Sequence, residues 1–359
     1  MFSIKIKTLR RFEQVVKVDL KRELVDIKYA ASFRKTTSFC SYDDKFLELI
    51  GDDATITAIE TRDYQFAHEA GVYSKAKDAI YFTTNFQTTD PIDLYSVDCK
   101  TYEIKKLDYP EVVMANGACQ YKDGVLYCCQ GDMTTPSSLV LVDPVTEKSE
   151  TLINNFHGRQ FSSINDVVIH HETGEIWFTD PTYGYNQAFK PSPVLPVQVY
   201  RFTPETGEIS CVADGFDMCN GLCFSPDYKI LYVTDTGAIK AHGGPGDGHQ
   251  FSIDARGPAS IYQYDVVDKR YLSNRRFFAY CDTGFPDGIK TDAEGNVYSG
   301  CGDGIHVWDT TGKLIGKIIV GSTAANFCFA KGGMWIFGEK TLYFAKLKIK
   351  GCLVEIECE

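Results

Sequence analysis

The chain has 359 residues, 44% of them apolar, with 23 Phe and 21 Tyr, ample material for a large core. Its net charge of −11 disfavours a nucleic-acid partner, which a protein grips with Lys and Arg against phosphates. No apolar run approaches bilayer-spanning length, and the 13 Cys form no CxxC pair and fall mostly inside strand-like segments, as small buried filler does in a reducing compartment.

In chain order, Lys5 to Arg22 is the one locally basic stretch. It is too sparse in apolar residues for a secretory signal, and Glu13, Asp19 and Glu23 interrupt any presequence pattern. A cytoplasmic location with no membrane partner is expected. Residues 1–38 read as an N-terminal extension to a single domain of residues 39–359. Phe39–Ile50 reads as an ordered lead-in, helical near Asp43–Ile50. His170–His171 reads as part of an exposed turn.

From there one unit recurs. A Glu, Asn or Asp opens a short apolar strand, a polar turn follows, and a second apolar strand returns. Glu69 opens EAGVYSKAKDAIYFTTN and Asn116 opens NGACQYKDGVLYCCQG. Asn165 opens NDVVIHHETGEIWFTDPTYG, Asn220 opens NGLCFSPDYKILYVTDTG, Asp287 opens DGIKTDAEGNVYSGCGDG and Asn326 opens NFCFAKGGMWIFG. Successive anchors lie 47, 49, 55, 67 and 39 residues apart. Further strands are expected at Leu94–Val97, Ser138–Val142, Val197–Phe202, Ser260–Tyr264, Gly304–Trp308 and Leu342–Leu347. About four strands per unit at this spacing define an all-β fold, a six-bladed β-propeller with a short N-terminal extension. Blade one is expected to begin near Ile56. Two long segments, Tyr183–Pro196 and the Gly-rich Ala238–Pro258, each follow a return strand and should emerge on one face.

The first strand of each propeller blade lines the central channel, so the six anchors converge on the axis. Two carboxylates and four carboxamides there form an oxygen-rich pocket suited to a hard cation such as Ca²⁺, which would offset the repulsion of the facing carboxylates. The competing explanation is that Asn-Gly and Asp-Gly merely cap strands and shape turns.

FAHEAGVY (Phe66–Tyr73), the Asn165 unit, NGLCFSPDYKILYVTDTG and PDGIKTDAEGNVY together resemble the senescence-marker-protein (regucalcin)/gluconolactonase family of six-bladed propellers, over roughly Phe39–Leu347. AHEAG and FTDPTYGY look most like its fungal lactonase branch. The resemblance implies a metal-dependent lactone hydrolase whose one divalent cation sits on Glu69, Asn165, Asn220 and Asp287. Ca²⁺ is the first choice, with Zn²⁺, Mg²⁺ or Mn²⁺ as alternatives. In several members the residue matching Asn165 reaches the metal only through water or substrate. The implied reaction is hydrolysis of a sugar-acid (aldono-) or related small hydroxy-acid lactone, with the metal as Lewis acid and Asp287 as general base. His68, Asn116, Asn165 and Tyr183 are the expected substrate contacts. Two positions depart from the family: Ser163 stands where animal members carry a substrate-binding Arg, and Cys219 stands where Pro is common.

Two other functions share this framework. A phosphotriesterase-like hydrolase would use the same metal, and a non-catalytic interaction propeller would need none. One WD dipeptide, Trp308–Asp309, among 3 Trp gives the latter little support. GxSxG, HExxH and Walker motifs are absent from the sequence. Neither the particular lactone nor an oligomeric state follows from these residues.

Overall fold

The computed structural model describes residues 15–17, 38–87, 91–242 and 250–353. The rest of the basic N-terminal stretch, Gly243–Gly248 and Cys358 lie outside the described residues. Six sheets of four or more strands surround one axis as a six-bladed propeller. From the axis outwards, blade one runs Glu69–Ser74, Ala79–Thr83, Leu94–Asp98, Ile104–Leu107, and blade two runs Ala115–Tyr121, Gly124–Cys129, Ser138–Val142, Ser149–Ile153. Blade three runs Val167–His170, Glu175–Asp180, Gln198–Thr203, Glu208–Ala213, and blade four runs Cys219–Phe224, Ile230–Asp235, Ser260–Val267, Tyr271–Tyr280. Blade five begins with Ile289–Thr291, Val297–Cys301, Gly304–Trp308 and Leu314–Ile319.

The innermost hairpins read as unbroken apolar runs because neighbouring blades cover both of their faces. Ala79–Thr83, Gly124–Cys129 and Glu175–Asp180 are buried at every position. Outer strands such as Ser149–Ile153 instead mix exposed and half-buried positions. Aromatic side chains fill the wedges between blades. Phe82 stacks on Phe337 with ring centroids 5.6 Å apart, and Trp177 meets Phe224 edge-on at 5.5 Å.

Closure differs from the sequence expectation. Ile56 belongs to Thr55–Thr61, which is not the start of blade one. It pairs antiparallel with Thr341–Lys346 and forms the outer strand of blade six, beyond Asn326–Ala330 and Gly333–Gly338. Ladder hydrogen bonds between the two ends of the propeller therefore close the ring. His170 also departs from expectation. It ends a strand, is fully buried, and packs against Phe224 and Tyr228; only His171 is exposed.

The lead-in thickens blade five. Phe39–Ser41 pairs antiparallel with Leu314–Ile319, and Val15–Lys17 pairs parallel with Phe39–Ser41. The helix that follows, Asp44–Ile50, starts at Asp43, whose carboxylate accepts the Lys45 N–H at 2.9 Å. Its Phe46 is fully buried over Gly316, where a Cβ would fall 2.2 Å from the ring. Replacing Phe46 with Ala should cost about 3–5 kcal/mol of unfolding free energy, read as a lower denaturant midpoint at unchanged slope. A midpoint equal to the parent's would mean that the helix does not clamp blade five.

Candidate active site

The anchors are aimed by contacts between consecutive blades. Thr83, Thr179 and Thr234 lie at or near the ends of second strands. Their hydroxyls donate to the backbone carbonyls of the next blade's anchor: Asn116 at 3.4 Å, Asn220 at 2.7 Å and Asp287 at 3.1 Å. The glycine after an anchor has a matching cause. A Cβ on Gly117 would stand 2.5 Å from the Asn165 carbonyl oxygen, and one on Gly221 2.5 Å from that of Asp287. Hence Asn-Gly and Asp-Gly do not form turns here; the glycine lets adjacent inner strands touch near the axis.

One cavity of about 360 Å³ at this mouth of the channel is lined by all seven sequence-predicted site residues: His68, Glu69, Asn116, Asn165, Tyr183, Asn220 and Asp287. The two long segments both reach it. Tyr183–Asn186 is a short helix that presents Tyr183, and Ile239–His242 pairs with Gln250–Ile253 to bring Ile239, Phe251 and Ile253 to the rim. Ser163, at the Arg position of animal relatives, is buried and accepts the Gly184 N–H at 2.7 Å, so it fastens the turn that carries Tyr183. Cys219 is buried and its thiol donates to the Gln198 carbonyl at 3.5 Å, a local packing role.

Charge dominates the floor. Glu69 and Asp287 are 3% and 7% exposed. Burial, then the Asp287 charge, pushes the Glu69 carboxyl well above its usual range. Burial, with the Glu339 carboxylate adding to it, pushes Asp287 up to about 7. Asn326 donates to Glu69 Oε2 at 2.7 Å and so supports that carboxylate from behind. Asn220 donates to the Tyr183 hydroxyl at 3.1 Å, and Tyr183 is in turn bonded to the Thr236 hydroxyl. The side-chain oxygens of Asn116 and Asn165 are buried with no hydrogen-bond partner. Facing carboxylates beside orphaned carboxamide oxygens fit a hard divalent cation, which would satisfy both.

Glu339 was not foreseen. It follows the second strand of blade six at a φ of +63°, lines the cavity, and bonds His68 Nδ1 through Oε1 at 2.9 Å. Burial, the largest single influence, works against charging His68, yet the Glu339 and Glu69 carboxylates together outweigh it and raise the imidazole's pKa. The only sequence signal was a lone acid in the Gly338–Thr341 turn. Gln130 also lines the floor, and Phe86, Ile92 and Phe285 make the walls apolar.

A family model described as SMP-30/Gluconolactonase/LRE-like region matches residues 68–345. The chain is 35% identical over 303 residues to the lactonohydrolase oryL of Aspergillus oryzae, covering 79% of this chain and 69% of that protein. Among solved structures, a gluconolactonase of Xanthomonas campestris superposes with a TM-score of 0.69 at 25% identity, over 86% of this chain and 94% of its own. A calcium-binding regucalcin of Agrobacterium tumefaciens shares the fold, with a TM-score of 0.60 at 14% identity over 82% and 94%.

The Asp287 shift predicts a pH effect. Its folded pKa is raised, so between about 4 and 7 the folded state holds a proton that the unfolded state has lost, and stability falls as pH rises through that window. In chelator-treated protein, Asp287→Asn should lessen this fall, leaving the part due to Glu69, and give a flatter plot of melting temperature against pH than the parent's. Parallel plots would contradict a raised, buried carboxyl at this position.

Proposed function

The chain belongs to the SMP-30/Gluconolactonase/LRE-like family, and from that premise we propose that it is a divalent-metal-dependent lactone hydrolase working in the cavity at the channel mouth. The observation that carries the reading is the pair of buried carboxyl groups, Glu69 and Asp287, each raised in pKa and set among unpartnered carboxamide oxygens. The lactonohydrolase and gluconolactonase names of its relatives support the substrate class.

In this reading Glu69, Asn165, Asn220 and Asp287 would hold the cation, Asn165 would be the weakest contact, and an all-oxygen donor set would favour Ca²⁺. When bound, the cation supplies a Lewis acid that polarises the lactone carbonyl. Asp287 takes the proton of the attacking water as the water oxygen bonds to the acyl carbon. The ring carbon–oxygen bond then breaks, and the same proton passes to the departing alkoxide oxygen. Tyr183, braced by Thr236 and Asn220, and His68, braced by Glu339, orient the ring and its leaving oxygen. Asn116 offers its unpartnered carbonyl to a substrate hydroxyl.

The substrate is a sugar-acid or related small hydroxy-acid lactone. The apolar rim of Phe86, Phe251, Ile253 and Phe285 supports members of that class with an apolar substituent. The same rim favours a second reading, phosphotriester hydrolysis on the same cation. A non-catalytic interaction propeller gives no reason to bury two carboxyls in one pocket.

The test is a panel of aldonolactones, alkyl-substituted lactones and a phosphotriester, run with chelator and metal add-back. Lactone opening should vanish with chelator and return with metal. Glu69→Ala and Asp287→Ala should lower kcat/KM about a hundredfold or more, with far-ultraviolet circular dichroism unchanged. Asn165→Ala should cost less than either. Undiminished lactone turnover in chelated protein, or in the Glu69 and Asp287 variants, would sink the proposal; faster turnover of the phosphotriester than of any lactone would favour the second reading.

A further inference from the structure

Blade five holds a second group of donors, of a different chemical kind. Among the described residues, the ligand atoms of Cys281, Cys301 and His306 form a group of three that lie within 4.8 Å of one another. All three side chains are buried. The Cys281 sulfur stands 3.9 Å from His306 Nδ1. In a tetrahedral site with metal–ligand bonds of about 2.0–2.3 Å, neighbouring donors are spaced roughly 3.3–3.8 Å apart, so this separation needs little closing. Nε2, the ring nitrogen on the other side, is 2.6 Å from Asp303 Oδ1. That carboxylate takes the Nε2–H and leaves Nδ1, the nitrogen beside the Cys281 sulfur, to serve as a ligand atom, the arrangement that carboxylates impose on metal-binding histidines.

We propose that Cys281, Cys301 and His306 form a structural zinc site, with the Asp282 carboxylate, 3.7 Å from the same Nδ1, as the fourth ligand. Sulfur and imidazole donors select zinc over the hard cations suited to the channel. Two protons leave the group on binding, so both sulfurs bind as thiolates and offset the two positive charges of the ion. The net charge of the surroundings is thereby unchanged. Buried Lys317 keeps its pairing with Asp282 at 2.5 Å and Asp303 at 3.5 Å.

The site's position gives it a use. Cys281 directly follows Tyr271–Tyr280, the outer strand of blade four, and opens the crossover into blade five. Cys301 ends the second strand of blade five, next to Gly300. The Gly300 carbonyl accepts the Asp287 N–H at 2.9 Å, and the Gly300 N–H donates to the Gly288 carbonyl at 2.9 Å. Zinc would thus staple the blade-four crossover to the strand that holds the backbone at Asp287. The inference does not rest on lactone hydrolysis, and its readout is metal content and spectrum rather than turnover.

The test uses the full-length protein, produced with added zinc and freed of loose metal by gel filtration over a weak chelator. One equivalent of zinc should remain, in the parent and in the Glu69→Gln/Asp287→Asn double variant alike, and be absent from Cys301→Ser and His306→Asn. After stripping with a strong chelator the melting temperature should fall, and added Co²⁺ should produce a thiolate-to-cobalt charge-transfer band. Asp303→Asn should keep the band but weaken binding about 10–100-fold. Three results would overturn the site: zinc retained in Cys301→Ser, no thiolate band in the parent, or a Cys281–Cys301 disulfide in freshly purified protein. The cobalt spectrum of the parent decides the matter even if the Cys variant fails to fold.

Discussion

Two acid groups that burial drives towards neutrality, Glu69 and Asp287, are held in one small cavity at the propeller axis. Left ionised and alone they would oppose folding. Their positions are nevertheless fixed by contacts from neighbouring strands. The Thr234 hydroxyl grips the Asp287 carbonyl, Gly300 pairs with its N–H, and Asn326 holds the Glu69 carboxylate. Such a site suits a ligand of opposite charge.

The ring geometry follows from the same contacts. Six inner strands can meet around an axis only if backbones approach closely, and Gly117, Gly221 and Gly288 make room at three of the junctions. Hydroxyls one strand further out then bridge to the neighbouring blade. Closure by Thr55–Thr61 on Thr341–Lys346 locks the circle, so strain at one anchor cannot relax by opening a gap elsewhere. Loops from blades three and four roof the floor with Tyr183, Phe251 and Ile253, giving the cavity a polar base and an apolar rim. Polar chemistry at depth and apolar recognition at the mouth suit a small ester ring bearing a less polar substituent.

Much of this was legible in the residues. Inner strands covered on both faces must be apolar throughout, so Ile176–Thr179 and Ala79–Thr83 announced themselves, and the polar residue opening each unit marked the axis. Five of the seven predicted site residues are anchors, and they meet in one cavity because a repeat places equivalent positions at equivalent radii; His68 adjoins an anchor and Tyr183 arrives on a loop helix. What stayed hidden depended on partners distant in sequence. Nothing in Thr55–Thr61 tells that its mate is Thr341–Lys346 rather than blade one. His170 looked like turn chemistry beside His171, but one residue of register placed it under Tyr228. Glu339 was one acid among many until folding set it against His68. Cys281, Cys301 and His306 follow no recognised ligand spacing, and only the crossover between blades four and five brings them together.

The proposed cation would complete the carboxylate pair. Calorimetric titration of Ca²⁺ into chelator-treated protein, repeated in buffers of different ionisation enthalpy near pH 6, tests it most directly. A single site is predicted at the channel mouth, with protons released on binding as the raised carboxyls give up theirs, and with both heat and proton release lost in the Glu69→Gln/Asp287→Asn protein. Binding without proton release, or binding that survives in that double variant, would contradict the account.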